Sequence, residues 1–147
     1  MIDKELKVSK SIEINTSKER VWEVLTNPEL IAKYLHGTKT ITDWKEGSRI
    51  IFQGEYEGHK YKDKGNVLSI KPFEVIKYNY WSSFSETEDR QENYSDIALL
   101  IEKLDEKRVH FTWRQEGFAN AEGYKHSQEG LQELIEKIKE IAETYDL

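Results

Sequence analysis

The stretch AEGYKHSQEGLQELIEKIKEIAETY, from Ala121 to Tyr145, puts Tyr124, Leu131, Leu134, Ile135, Ile138, Ile141 and Ala142 on one stripe of a helix. At ~1.5 Å per residue that helix is about 35 Å long, enough to cross a small domain. Seven acids stand against three bases from Glu122 onward, so the other face reads as a solvated acidic surface. A helix this long must bury its stripe on another layer, and the residues before it supply one.

Outward from the helix, the preceding segments alternate with the period of strands. Val109, Phe111, Trp113 and Gln115 alternate with His110, Thr112 and Arg114. Ile97, Leu99 and Ile101 share one face, as do Ile76, Tyr78 and Tyr80. Ile50, Phe52, Gly54 and Tyr56 alternate with Arg49, Gln53, Glu55 and Glu57. Turns fall at Glu57-Gly58-His59-Lys60, Lys71-Pro72-Phe73-Glu74 and Asp105-Glu106-Lys107. The stretch from Tyr61 to Ile70 reads as a strand whose weak alternation leaves its faces unassigned. Ser85 to Gln91 reads as a mobile, solvent-facing loop carrying Glu86, Glu88 and Asp89.

Farther out, Leu6, Val8, Ile12 and Ile14 mark a half-buried first strand. Thr16-Ser17-Lys18-Glu19 reads as a capping box with Thr16 as cap and Glu19 reaching back. Val21, Trp22 and Leu25 follow at helical spacing. Asn27-Pro28-Glu29 starts a second short helix that runs to about Tyr34-Leu35 and ends at His36-Gly37. The expected class is α+β: a curved antiparallel sheet of about six to seven strands wrapped around the long C-terminal helix, with two short helices after the first strand. A curved sheet gripping one helix leaves a gap between them.

Composition bounds the function. The chain has 147 residues, a length typical of one domain, and residues 1–147 are read as a single domain. Its net charge of −6 argues against nucleic acid as a partner. It has no cysteine, which excludes disulfides, thiolate metal sites and a cysteine nucleophile. No apolar run approaches the ~20 residues of a membrane span. Met1-Ile2-Asp3-Lys4-Glu5 is too charged for a signal peptide, so a cytoplasmic protein is expected. Hydrophobic residues make up only 37% of the chain, yet aromatics reach 12% with four Trp and eight Tyr, and large amphipathic rings can wall a pocket as well as fill a core.

The candidate pocket lining is therefore Tyr34, Phe52, Tyr78, Tyr80, Phe111, Trp113 and Tyr124. The alternative is an ordinary core in which each hydroxyl is satisfied locally. Gln115 is in phase with Trp113 and should point inward, where a buried amide needs partners. His126 lies at the start of the long helix, near the expected cavity mouth; a solvated histidine is the other reading. His36, His59, His110 and His126 form no metal-ligand spacing, so neither a metal nor a cofactor is expected. No nucleophile elbow or phosphate loop occurs, and no inward carboxylate can be named for acid–base work. Gly130, inside a helix at a cost of about 1 kcal/mol, suggests close approach of helix to sheet, with room for a ligand as the alternative. Trp22 and Trp44 read as core staples. Trp81, opposite in parity to Tyr80, falls on the outer sheet face, either as a dimer contact or as partial exposure without function.

These motifs resemble the START-like (SRPBCC, helix-grip) superfamily, and within it the family named after the C-terminal domain of the activator of Hsp90 ATPase. The resemblance rests on Val21-Trp22-Glu23-Val24-Leu25-Thr26-Asn27-Pro28-Glu29, Trp44-Lys45-Glu46-Gly47, Gly65-Asn66-Val67-Leu68 leading to Pro72, Gln115-Glu116-Gly117-Phe118 and His126-Ser127-Gln128-Glu129-Gly130-Leu131. It covers nearly the whole chain. The family often carries Trp where this chain has Tyr34 and Leu131, two positions that the resemblance turns toward the grip. A cavity of different shape follows, and no ligand carries over.

The leading functional expectation is a binding domain for a small hydrophobic or amphipathic molecule held between helix and sheet. The lining would be the aromatic set with Gln115, His126 and Leu131. Two alternatives stand beside it. One is a cyclase- or aromatase-like enzyme using an inward Tyr or His. The other is a chaperone-associated interaction module, or a homodimer, that uses the acidic face of Glu129, Glu133, Glu136 and Glu140.

Overall fold

Twelve residues from Asp3 to Ile14 form β1, in which Val8 and Ile14 are buried while the residues between them alternate outward. The structure is a computed structural model that describes residues 2–83 and 85–145. After β1 come α1 (Lys18–Thr26), α2 (Pro28–Tyr34), β2 (Lys39–Ile41), β3 (Arg49–Tyr56), β4 (His59–Lys71), β5 (Val75–Tyr80), β6 (Ser95–Asp105), β7 (Arg108–Phe118) and α3 (Ala121–Thr144). The seven strands form one antiparallel sheet in the order β1-β7-β6-β5-β4-β3-β2. Register shifts between Val67 and Ser69, Lys103 and Asp105, and Asp3 and Lys7 add local bending, as extra residues in one strand of a pair do. The sheet curves around α3, the α+β class expected.

The stripe of α3 buries Leu131, Ile135, Ile138 and Ala142. Ile135 and Ile138 are fully enclosed, and burying an aliphatic side chain of this size stabilises the fold by about 1.5–3 kcal/mol. The helix ends are tied separately. At the start of α3, the Asn120 side chain accepts from the Gly123 N–H at 2.7 Å. Near its end, Arg20 of α1 donates to the Ala142 carbonyl at 3.0 Å and the Tyr145 carbonyl at 2.6 Å. A guanidinium there satisfies carbonyls with no helical partner and complements the helix dipole.

Two local expectations change. The α1 cap is Ser17, whose hydroxyl accepts from the Arg20 N–H at 3.3 Å; Thr16 sits one residue too early, and Glu19 makes no return bond. Asn27 does cap α2 with Pro28 behind it, and accepts from the Glu29 N–H at 2.9 Å. Gly130 does not mark a close approach: it is exposed, and a Cβ there would have nothing within 4 Å. The tightest glycine is Gly65 in β4, where a Cβ would lie 1.8 Å from the Asn79 carbonyl oxygen.

Trp44 is half-buried and donates its indole N–H to the Thr26 carbonyl at 3.0 Å, closing the end of α1. Trp22 meets Phe73 edge-on at 5.8 Å. Trp81 does lie on the outer face, bridged to Lys64, but the loop beyond it covers it: its indole donates to Thr87 at 3.1 Å and Lys64 stands over its ring. Among the described residues, no helix is long and apolar enough to cross a membrane.

Candidate functional site

Strand register decides which side chains share the concave face, because residues directly opposite in an antiparallel pair point the same way. Phe52 of β3 is opposite Thr40 of β2 on one side and Asp63 of β4 on the other. Tyr78 of β5 is opposite Val67 and Ile97, Ile97 is opposite Gln115, and Gln115 is opposite Val8. A single row thus crosses five strands with Tyr78 and Gln115 as its polar members. The neighbouring row carries Trp113, opposite Leu99.

The rings converge at the β3–β5 side of this face. Phe52 lies 5.8 Å from Tyr78 and 5.7 Å from Tyr80, centroid to centroid, within the range of favourable aromatic pairs. Between these strands stands Gly65, with no side chain to separate them. Tyr34 of α2 is buried and donates its hydroxyl to the Val24 carbonyl at 3.2 Å.

The polar groups of the cluster differ sharply in how they are satisfied. Asp63, only 5% exposed, accepts from the Tyr80 hydroxyl at 2.6 Å, from the Ser83 N–H at 2.9 Å and from the Ser83 hydroxyl at 3.0 Å. It forms no ion pair among the described residues. Tyr78 is also 5% exposed, and among the described residues its hydroxyl makes no hydrogen bond. Unlike the Tyr78 hydroxyl, the Thr40 hydroxyl is fully enclosed, and it has no partner among the described residues. Gln115 is half-buried, and its amide makes no hydrogen bond among the described residues. Burial pushes the phenol of Tyr78 well above its ordinary value. Burial does the same to Tyr34, with Tyr78 beside it, and to Tyr80, where Asp63 adds to the shift. All three phenols are therefore neutral at physiological pH.

Of the residues expected to line the pocket, the structure brings together Tyr34, Phe52, Tyr78 and Tyr80, with Phe111, Trp113 and Leu131 buried in the same core. Tyr124 is half-buried and packs edge-on against Phe118 at 5.2 Å, its hydroxyl accepting from Gln128. His126 stands exposed on α3, apart from the cluster. Sequence reasoning missed Thr40 and Asp63. The absence of an inward carboxylate is corrected by Asp63, which lay in the stretch whose faces could not be assigned.

Two concavities among the described residues lie elsewhere. One, of about 360 Å³, is a polar hollow in the loop between Glu86 and Asn93. The other, of about 590 Å³, sits at the β2 edge and carries Lys39, Lys60 and Lys62 with Gln53 and Glu55. The loop is fixed by Asp89, which accepts from Tyr94 at 2.5 Å and pairs with Lys64. No group of three His, Asp or Glu side chains among the described residues is placed to hold a metal ion.

Residues 15–143 match the model of a family described as Activator of Hsp90 ATPase homolog 1-like protein. A protein from Cytophaga hutchinsonii, solved in solution, is 32% identical, with 92% of each chain covered and a TM-score of 0.78. An HSP90 activator from Plasmodium falciparum shares the fold at 12% identity, covering 92% of this chain and 94% of that one, with a TM-score of 0.73. The Aha1 dimer from Colwellia psychrerythraea does so at 13% identity, covering 93% and 96%, with a TM-score of 0.72. No curated protein matches the chain.

Proposed function

Because this chain belongs to the Activator of Hsp90 ATPase homolog 1-like family, we propose that residues 1–147 act as one START-like domain that binds a small hydrophobic or amphipathic molecule between α3 and the sheet. The observation that carries this reading is Tyr78. A phenol 95% removed from solvent, with no hydrogen bond among the described residues, leaves a donor that a ligand would satisfy. Beside Phe52 the Thr40 hydroxyl is fully buried without a partner among the described residues, and leaving such a group unpaired costs about 1–3 kcal/mol. Apolar burial against Phe52, Trp113 and Leu131 would supply most of the affinity at ~25 cal/mol per Å². Tyr78, Thr40 and Gln115 would select orientation, with Tyr80 held in place by Asp63.

Native mass spectrometry of the purified protein, followed by denaturing analysis of anything released, tests the reading directly. A stoichiometric lipid or aromatic compound is the expected result. Tyr78→Ala and Trp113→Ala should each abolish its retention while the fold persists. Retention unchanged in both would place the compound outside the grip and end this assignment.

A second reading has its own observation. Glu129, Glu133, Glu136 and Glu140 are all exposed along α3, and none forms an ion pair among the described residues. Unpaired charge of one sign along a helix suits a basic protein partner. Reversing these charges should remove such a partner from pull-downs; unchanged partners would leave the face as a source of solubility.

A further inference from the structure

Asp63 gives the grip a sign. Its position opposite Phe52 places it on the concave face, and it is 5% exposed. All three of its contacts come from groups that donate: the Tyr80 hydroxyl, the Ser83 N–H and the Ser83 hydroxyl. The Ser83 N–H can only donate, whereas the two hydroxyls can donate or accept, and in this arrangement all three donate to Asp63. Three donors occupy three of about four lone-pair positions on a carboxylate. The fourth remains for an incoming donor.

Lys62 and Lys64 flank Asp63 in the chain and therefore point to the opposite face of β4. Lys64 is drawn further away by its pairing with Asp89 and its position over the Trp81 ring. Among the described residues no Lys, Arg or His forms an ion pair with Asp63. A buried charge without a counter-charge acts over longer range than a surface one, because little water or salt screens it. The hydroxyls that lack partners, on Tyr78 and Thr40, can serve a neutral or a donating group without adding charge.

We propose that the grip selects ligands by charge, taking neutral or cationic amphiphiles and rejecting anionic ones such as fatty-acid carboxylates, with Asp63 as the selecting residue. The inference rests on the ligand-binding reading above and assigns the chemical class of what that site takes.

Three probes with one tail separate the terms: dodecanol, dodecylamine and dodecanoate, each held below its aggregation threshold at neutral pH. The wild-type chain should bind dodecylamine at least about tenfold more tightly than dodecanoate, with dodecanol between them. The net charge of −6 would also favour an amine, so the preference is measured at low and at high salt. A preference set by the buried Asp63 persists at high salt; one set by the surface collapses. Asp63→Asn removes the charge and keeps one acceptor oxygen for Ser83, while its NH2 donates to the Tyr80 hydroxyl, which can accept. It should bring the two affinities to within about twofold, whereas the exposed-site control Glu55→Gln should leave the ratio unchanged. Equal binding of amine and carboxylate overturns the proposal, as does a preference that vanishes with salt or survives Asp63→Asn. If the Asn variant fails to fold, the wild-type salt series alone decides. Binding of dodecanol without charge preference refutes the selectivity and leaves the ligand-binding reading intact. Failure of all three probes to bind refutes both.

Discussion

Tyr78 and Gly65 show how single positions serve opposite ends on the same face. The Tyr78 ring is buried and its hydroxyl makes no hydrogen bond among the described residues, so the free protein gains little from that hydroxyl. Tyr78→Phe should therefore raise the stability of the ligand-free chain by about 1 kcal/mol, while weakening retention of a bound ligand. Denaturant unfolding of ligand-free protein checks the first part. A loss of stability would mean that the hydroxyl has a partner and would remove the argument for a waiting donor. Gly65 is the reverse case. A Cβ placed 1.8 Å from a backbone oxygen forces β4 and β5 apart, so Gly65→Ala should cost more than about 3 kcal/mol, above the common range for a single substitution. Gly130 offers the control. With open space around it, Gly130→Ala should stabilise α3 by about 1 kcal/mol through helix propensity alone. Thermal melts of the two alanine variants should move in opposite directions.

Elements were legible where burial and hydropathy share a period. α3 and strands β1, β3, β5, β6 and β7 alternate in both, and the expected spans agree with the observed ones to within a few residues. β4 alternates in burial alone. Its buried positions Asp63, Gly65 and Val67 are a carboxylate, a glycine and a valine, so no hydrophobic signal marks the inner face. That one strand hid Asp63, and with it the charge of the site. Thr40 was hidden because β2 has only three residues, too few for a period to show. The aromatic members of the cluster, by contrast, came from phase alone, since Tyr78 and Tyr80 repeat the spacing of Ile76. Local caps follow a finer rule than spacing. Thr16 and Ser17 are both good cap residues, and the choice falls to Ser17 because its backbone is extended with φ −74° and ψ 157° while helical geometry begins at Lys18. Ser17→Ala should cost about 1 kcal/mol and Thr16→Ala close to nothing. An equal loss from both would return the cap to Thr16.

The whole molecule carries its phenols in a way that ties folding to proton release. Burial holds Tyr34, Tyr78 and Tyr80 well above the ordinary tyrosine value of 10, and burial together with the Asp89 contact pushes Tyr94 up to about 12. Each group binds its proton more tightly folded than unfolded. Its contribution is fully present below pH 10 and is lost as the pH rises from there toward the folded value. In that window each tyrosine should steepen the fall in stability by about 1.4 kcal/mol per pH unit. The four sit on α2, β5 and the segment before β6, and Tyr34, Tyr78 and Tyr80 pack around one core, so they should not titrate one by one. Tyrosinate absorbance from these four should appear late, coincident with loss of the sheet's circular dichroism. Asp63→Asn removes the carboxylate that raises Tyr80, so it should let that phenol ionise at lower pH. A single smooth rise near pH 10 with the sheet intact would show that these hydroxyls reach water in the folded state, and the grip would then be open rather than closed around its rings.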